Sequence, residues 1–150
     1  HPNGGSLTFA PSIPGHVEHK KLSNNSLNVM AGCFLACTPG VNIKAKFGGL
    51  KAFFSGEGAF LLEASGSGDL FFNSFGGIVK KEINGEFIVD TGHVVAFDSS
   101  LNYSITGMGN FKSTMLSGEG LVMKFKGAGT LYLQTRNVSS VASWLTPRLL

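Results

Sequence analysis

The chain has 150 residues, enough for one domain with a sizeable core, and 14% of them are charged, well below the roughly 25% of ordinary soluble domains. Hydrophobic residues make up 43%, the mean hydropathy is +0.18 and the formal net charge is +3, which permits anionic partners without implying them. No apolar run approaches about 18 residues, so the sequence predicts no membrane-spanning helix.

Short segments in which apolar and polar residues alternate, separated by glycine and asparagine, predict an all-β fold from the start of the chain. Asn24-Asn25 and Gly66-Ser67-Gly68 have the composition of tight turns, because asparagine and glycine tolerate positive φ. The strands predicted in the first half are Val17–Leu22, Leu27–Met30, Gly32–Cys37, Val41–Lys46, Ala59–Ala64 and Leu70–Asn73.

The second half repeats this pattern. Asn84-Gly85 and Gly127-Ala128-Gly129 predict tight turns. Leu121, Met123 and Phe125 share one face of a further strand, since side chains alternate along a strand. The other strands predicted here are Ile78–Ile83, Phe87–Asp90, His93–Phe97, Leu101–Thr106 and Thr130–Gln134.

Three segments interrupt the β pattern. Leu50–Phe54 and Phe111–Leu116 occupy corresponding places in the two halves, and each predicts a single helical turn. The tail predicts a short helix over Ser139–Trp144, with Ser139 or Ser140 as N-cap and Pro147 at its end.

A unit of about sixty residues therefore occurs twice, which indicates a repeat architecture. We expect one domain over residues 1–150, with 1–15 as the end of a preceding repeat, 16–76 and 77–136 as two full repeats, and 137–150 as a C-terminal tail. Because the chain opens on the last strand of a unit, we expect a further repeat ahead of it in the parent protein.

The sharpest recurrence is a turn motif containing a glutamate. Glu57 and Glu119 are candidates for paired acid–base carboxylates. The recurrence of the whole motif, with a lysine ahead of each copy, favours a structural turn instead. The motif residues are Ser55, Gly56, Glu57, Gly58, Ser117, Gly118, Glu119 and Gly120.

Other candidate sites have simpler interpretations. His16, Glu18 and His19 are metal-ligand types, but strand alternation places His19 on the opposite face from the other two. Cys33 and Cys37 lie in apolar runs and are expected to be buried free thiols. With no nucleophile elbow and no phosphate-binding loop, the sequence predicts no enzyme, no metal and no cofactor.

Two lysine pairs are the best candidates for a surface binding site. Lys44 and Lys46 share a strand face, as do Lys124 and Lys126. In a ring of subunits such pairs could follow a phosphate backbone. A solvated face is the favoured interpretation, since few aromatic residues are interleaved with them.

Several motifs resemble a widespread family of unknown function that is named for altered inheritance of mitochondria and mitochondrial biogenesis. These are Phe47–Lys51 followed by Phe54–Gly58, Asp90–Asp98, and the run Phe125–Arg136. The resemblance implies a shortened double-stranded β-helix related to the tryptophan RNA-binding attenuator protein. It also implies trimer-like units of three repeats in bacteria and a membrane-associated mitochondrial member in eukaryotes, with no established catalytic residue.

We therefore predict an all-β, double-stranded β-helix-like (attenuator-like) sandwich of short antiparallel strands, with one-turn helices and a short C-terminal helix. The predicted function is a non-catalytic scaffold or assembly protein that self-associates or joins a larger complex. The alternative is a ligand- or nucleic-acid-binding β-ring. The resemblance favours a trimer and allows peripheral membrane association. The free thiols predict a reducing intracellular location, which by the resemblance is cytoplasmic in a bacterium and mitochondrial in a eukaryote.

Overall fold

Two groups of antiparallel strands form one eight-stranded sheet in the computed structural model, which describes residues 4–47, 60–107 and 121–149. The first group is β1 (Val17–Met30), β2 (Phe34–Cys37), β3 (Val41–Phe47) and β4 (Phe60–Asn73). The second is β5 (Ile78–Asp90), β6 (Val94–Asp98), β7 (Asn102–Gly107) and β8 (Leu121–Gln134). A C-terminal helix, α1 (Val138–Leu145), follows. The predicted all-β fold with a short C-terminal helix is confirmed.

The same pairing pattern occurs in both groups. β1 pairs with β4 along its length, and the other edge of β4 carries β3 and then β2. β5 pairs with β8 in the same way, and the other edge of β8 carries β7 and then β6. The two groups join where β6 pairs with β1, which gives the strand order β2-β4-β1-β6-β8-β5.

The predicted glycine turns are wrong, because the chain continues through them as long strands. Gly66 and Gly68 lie inside β4, Gly85 inside β5 and Gly127 inside β8, all with positive φ. Here positive φ bends a strand without reversing it, and a Cβ at Gly66 would clash with the carbonyl oxygen of Gly40. The bend lets β4 and β8 each pair with two successive partners along one edge.

Asn24 forms a β-bulge in β1 and not a tight turn. The register with β4 shifts between Ser23 and Asn25, and Asn24 itself has φ 56°. Its N–H donates to Ser67 Oγ at 3.0 Å, and Ser23 N donates to Asn25 Oδ1 at 2.9 Å. The positive φ inferred for asparagine at this point is confirmed.

Two short 3-10 turns, Ala31–Cys33 and Thr91–His93, replace the first residues of the strands predicted at Gly32 and His93. The N-cap of α1 is Asn137, whose Oδ1 accepts from Ser139 N at 2.8 Å and Ser140 N at 3.4 Å, so neither serine is the cap. Pro147 lies in a 3-10 turn that follows α1. The one-turn helices predicted at 50–54 and 111–116 lie outside the described residues.

The core is divided into two clusters that meet at β6. Val95 and Ala96 belong to the first cluster, while Val94 and Phe97 belong to the second. Each of these four side chains is buried, so both faces of β6 are covered. Cys33 is buried as predicted, whereas Cys37 is only half-buried, so that part of the prediction is wrong. Desolvation raises the pKa of the Cys33 thiol to about 11, which keeps it protonated and unreactive.

The contact between β1 and β6, which we call the junction, pairs Leu27 with Asp98, Asn28 with Phe97 and Val29 with Ala96. It is reinforced by Lys20, whose Nζ lies 2.8 Å from Asp98 Oδ1 and 3.3 Å from the Tyr132 hydroxyl.

At the junction, the net shifts in the pKa values of Lys20 and Asp98 favour their charged forms, although partial burial acts in the opposite direction. Burial disfavours the charged forms of both Lys20 and Asp98, but their mutual hydrogen bond raises the pKa of Lys20 and lowers that of Asp98. Thr130 N also donates to Asp98 Oδ2 at 2.9 Å, which favours the carboxylate further.

The bulge makes a specific prediction for two substitutions at one position. We expect Asn24→Ala to lower the free energy of unfolding by about 1 to 2 kcal/mol, because a Cβ without a hydrogen-bonding side chain is strained at positive φ. Asn24→Gly should change it by less, since glycine adopts this φ freely. Urea denaturation followed by circular dichroism measures both, and an equal loss in the two variants would contradict the bulge geometry.

The junction predicts a pH-dependent loss of stability. Asp98→Asn should lower the free energy of unfolding by about 1 to 3 kcal/mol at neutral pH, because it leaves the partly buried Lys20 without its charged partner. Since the folded-state pKa of Asp98 is below its ordinary 3.8, this contribution is present above pH 3.8 and is lost as pH falls through the lowered value. Denaturation from pH 2 to pH 7 should show wild type and variant converging in acid (about pH 2 to 3).

A matched control is Asp69→Asn. Asp69 Oδ1 contacts His19 Nε2 at 2.8 Å in a more exposed pair. Its removal should have the smaller effect. A larger loss in the free energy of unfolding for Asp69→Asn than for Asp98→Asn would show that the junction ion pair is not the larger contributor to stability.

Candidate functional site

The first candidate lysine pair lies on β3 beside a carboxylate. Lys46 Nζ is 3.0 Å from Glu63 Oε1 on β4, and Lys44 is exposed and aligned opposite Glu63 in the strand register. The positive charge of this pair is therefore partly compensated on the neighbouring strand.

The second candidate pair lies on β8 and shares one carboxylate. Lys124 Nζ is 2.7 Å from Glu86 Oε2, and Lys126 Nζ contacts Glu86 Oε1. Hydrogen bonds from Lys124 and Lys126 lower the pKa of Glu86 to about 2, so it stays ionised. Since β3 pairs with β4 while β8 lies beyond β1 and β6 in the sheet, the structure does not bring the two lysine pairs into one basic belt.

The glutamate turn motifs, Ser55-Gly56-Glu57-Gly58 and Ser117-Gly118-Glu119-Gly120, lie outside the described residues. Both the structural-turn interpretation and the paired-carboxylate alternative therefore stay predictions.

The histidines near the start of β1 occupy two separate ion-pair networks. His16 Nε2 lies 3.6 Å from Glu18 Oε2, and Glu18 Oε1 is 2.6 Å from Lys80 Nζ. His19 instead contacts Asp69, as strand alternation predicted. Across residues 4–47, 60–107 and 121–149, no group of three or more His, Cys, Asp or Glu side chains could hold a metal ion.

A cleft of about 440 Å³ that the sequence did not predict lies between α1 and the end of β8. His93 is held at its wall, with Nδ1 2.8 Å from the carbonyl oxygen of Gln134. The Gln134 side chain donates to Gly92 O at 2.7 Å and accepts from Phe75 N at 2.9 Å. The residues that line the cleft are Phe75, His93, Thr135, Arg136, Asn137, Ser140, Val141 and Trp144.

The cleft combines aromatic and cationic groups. The Arg136 guanidinium lies 5.8 Å from the centre of the Phe75 ring, and Arg148, which does not line the cleft itself, lies 4.4 Å from the centre of the Trp144 ring. Such walls suit a small ligand with an apolar body and an acidic group. The sequence signal was weak, because these residues come from three separate regions of the chain, around residues 75, 93 and 135–144.

Apolar side chains are exposed on an outer strand of the sheet. On β5, Val79 is 48% and Ile88 is 58% exposed. The apolar side of α1 is also open, through Val138, Val141 and Trp144. The sequence analysis did not place this exposure on these elements. Among the described residues, no helix is long and apolar enough to cross a membrane.

Comparisons with known proteins agree with the motifs quoted above. The family model described as mitochondrial biogenesis AIM24 matches residues 1–136. An uncharacterized protein of Streptococcus pyogenes serotype M6 is 33% identical over 144 residues, which cover 94% of this chain and 58% of the relative. A crystal structure of a protein from Streptococcus pyogenes superposes with a TM-score of 0.82 at 32% identity, over 94% of this chain and 63% of that one.

This chain thus spans roughly three fifths of the length of these relatives. The match to the family model covers all of both strand groups. The chain belongs to the AIM24 mitochondrial biogenesis family.

Proposed function

We propose that the protein is a non-catalytic assembly protein that acts by associating with copies of itself or as a subunit of a larger complex. The observation that carries the proposal is the exposure of two apolar side chains on β5, the last strand in the described sheet order, where Ile88 is 58% and Val79 is 48% exposed. Exposed apolar side chains on an outer strand favour contact with another chain, because burial removes their apolar surface from water.

The state of the carboxylates supports a structural role. Glu18, Glu63 and Glu86 each accept a lysine contact, and Asp98 accepts one at the junction. The hydrogen bonds from lysine lower the pKa of Glu86 to about 2 and, despite partial burial, hold that of Asp98 below its usual value, which does not suit either group as a general acid. These groups hold strands together.

The proposal includes the finer expectations from the sequence. We take the two strand groups to be repeats of an attenuator-like β-structure, with a trimer as the favoured oligomer and contact with a membrane surface as an additional property. The free thiols of Cys33 and Cys37 support a reducing compartment, and the streptococcal relative favours the bacterial cytoplasm over the mitochondrion.

Ligand binding is the alternative, and the cleft beside α1 favours it. Arg136 and Trp144 provide a cation and an aromatic surface that are not part of either core cluster. Nucleic-acid binding has less support, because Glu63 and Glu86 lie against three of the four candidate lysines.

Self-association predicts that the mass of the protein exceeds that of one 15.8 kDa chain. Light scattering coupled to size exclusion, over a concentration series from 1 to 100 µM (about the range where weak edge contacts form), should show mass rising with concentration. A constant monomer mass across the whole series would overturn the self-association proposal.

Because carboxylates lie against three of the four candidate lysines, we predict that the protein binds nucleic acid only weakly. We expect single-stranded RNA to bind weakly, and replacement of Lys44, Lys46, Lys124 and Lys126 by serine to leave that binding nearly unchanged. Fluorescence anisotropy at two salt concentrations measures it. Tight binding that weakens steeply with salt and is lost in the fourfold variant would favour the nucleic-acid alternative.

A further inference from the structure

The cleft between α1 and the end of β8 has walls that the chain holds in place with its own hydrogen bonds. Arg136 N donates to the carbonyl oxygen of Phe75 at 3.2 Å. Thr135 N donates to that of Gly77 at 3.0 Å. These bonds fasten the end of β8 to the connection between β4 and β5, so two of the walls have a fixed position relative to each other.

Another wall is the 3-10 turn Thr91–His93. His93 Nδ1 lies 2.8 Å from the carbonyl oxygen of Gln134, and because a carbonyl only accepts, Nδ1 carries the proton and the plane of the ring is fixed. Gly92 allows the turn to lie directly against the N-cap of α1, since a Cβ at Gly92 would clash with Asn137 Nδ2. The cleft is therefore preformed, as most small-molecule sites are.

The charge on these walls is positive. Arg136 is exposed, and in the described part of the chain no carboxylate forms an ion pair with it. Among the described residues that line the cleft, none is acidic. Glu63 and Glu86, by contrast, lie against three of the four candidate lysines on the strands. The charge of Arg136 is therefore available to an anion in a way that the charges of those lysines are not.

Apolar surface lies beside this charge. On α1, Trp144 is 59% and Val141 is 39% exposed, and Phe75 is half-buried next to the guanidinium. A ligand that covers Trp144 and Val141 removes their apolar surface from water. The volume of about 440 Å³ lies within the range of about 300 to 1,000 Å³ that is usual for small-molecule sites.

We propose that the cleft binds a small monoanion with an aromatic body. The carboxylate or sulfonate group of the ligand accepts hydrogen bonds from the Arg136 guanidinium, and its body lies against Trp144 and Val141. The site is defined by the charge and shape of its walls, and no unpaired strand edge takes part in it. This inference goes beyond the assembly function and rests on the ligand-binding alternative, whose ligand it specifies by charge and shape.

A pair of fluorescent probes tests the two parts of the site. Anilinonaphthalene sulfonate and phenylnaphthylamine share an aromatic body, but only the first has a sulfonate. In fluorescence titrations, Arg136→Gln should weaken binding of the sulfonate probe about tenfold and change that of the uncharged probe by less than about twofold, because only a charge-assisted hydrogen bond is lost. Trp144→Ala should weaken binding of both probes about fivefold, because both lose apolar contact.

Lys81→Gln is the matched control. Lys81 is exposed, and its Nζ lies 4.8 Å from the centre of the Phe87 ring. Arg136 makes the same kind of contact with Phe75, but Lys81 does not line the cleft. Loss of this cation should leave the affinity for both probes unchanged. Circular dichroism spectra that match wild type confirm that all three variants are folded.

The outcomes separate this inference from the proposals around it. Equal affinities for the sulfonate probe in Arg136→Gln and Lys81→Gln, or affinities for both probes that Trp144→Ala does not change, would overturn the anion site in the cleft. Absence of saturable binding of either probe to the wild-type protein would overturn the ligand-binding alternative as well. Self-association would stand in each case, because the mass of the oligomer is measured without a probe.

Discussion

The two halves of this protein share one strand. β6 lies between β1 and β8, and its side chains enter both core clusters, Val95 and Ala96 the first and Val94 and Phe97 the second, so neither cluster is complete without it. Burial of both faces explains why four consecutive residues of β6 are apolar, a pattern that alternation alone does not predict. The Lys20–Asp98 ion pair fixes the register at the point where the groups meet. The remaining strand order follows from pairings within each group, β1 with β4 and β5 with β8.

Much of the fold could be predicted because strand alternation is a local property. The shared face of Met123 and Phe125 and the burial of Cys33 followed from sequence neighbours alone. The glycine turns were wrong for a physical reason: positive φ at glycine occurs both in reversals and in bent strands, and only the partner across the sheet decides between them. The N-cap was wrong by two or three residues because Asn137, Ser139 and Ser140 are all good caps.

The candidate site was predicted less well than the fold. The sequence identified the lysines but could not show the carboxylates beside them, since Glu63 and Glu86 reach Lys46 and Lys124 from neighbouring strands. The cleft beside α1 and the outer positions of β5 and β2 in the described part of the sheet are products of tertiary arrangement, and no local pattern encodes them. Within residues 4–47, 60–107 and 121–149, only the strand order identifies β5 and β2 as the outermost strands.

The bulge at Asn24 affects how the sequence of β1 should be understood. Leu22 and Leu27 belong to the same core cluster although they are five residues apart, an odd spacing that would put them on opposite faces of a regular strand. The corresponding residues Ile83 and Phe87 of β5 are four apart and need no correction. Asn24 is the extra residue of the bulge and does not take part in the alternation of side chains. Leu22 and Leu27 therefore lie on the same face of β1. The irregular spacing of apolar residues in β1 is therefore compatible with one continuous strand. Adding or deleting one residue at this point would move every side chain on one side of the bulge to the opposite face of the sheet.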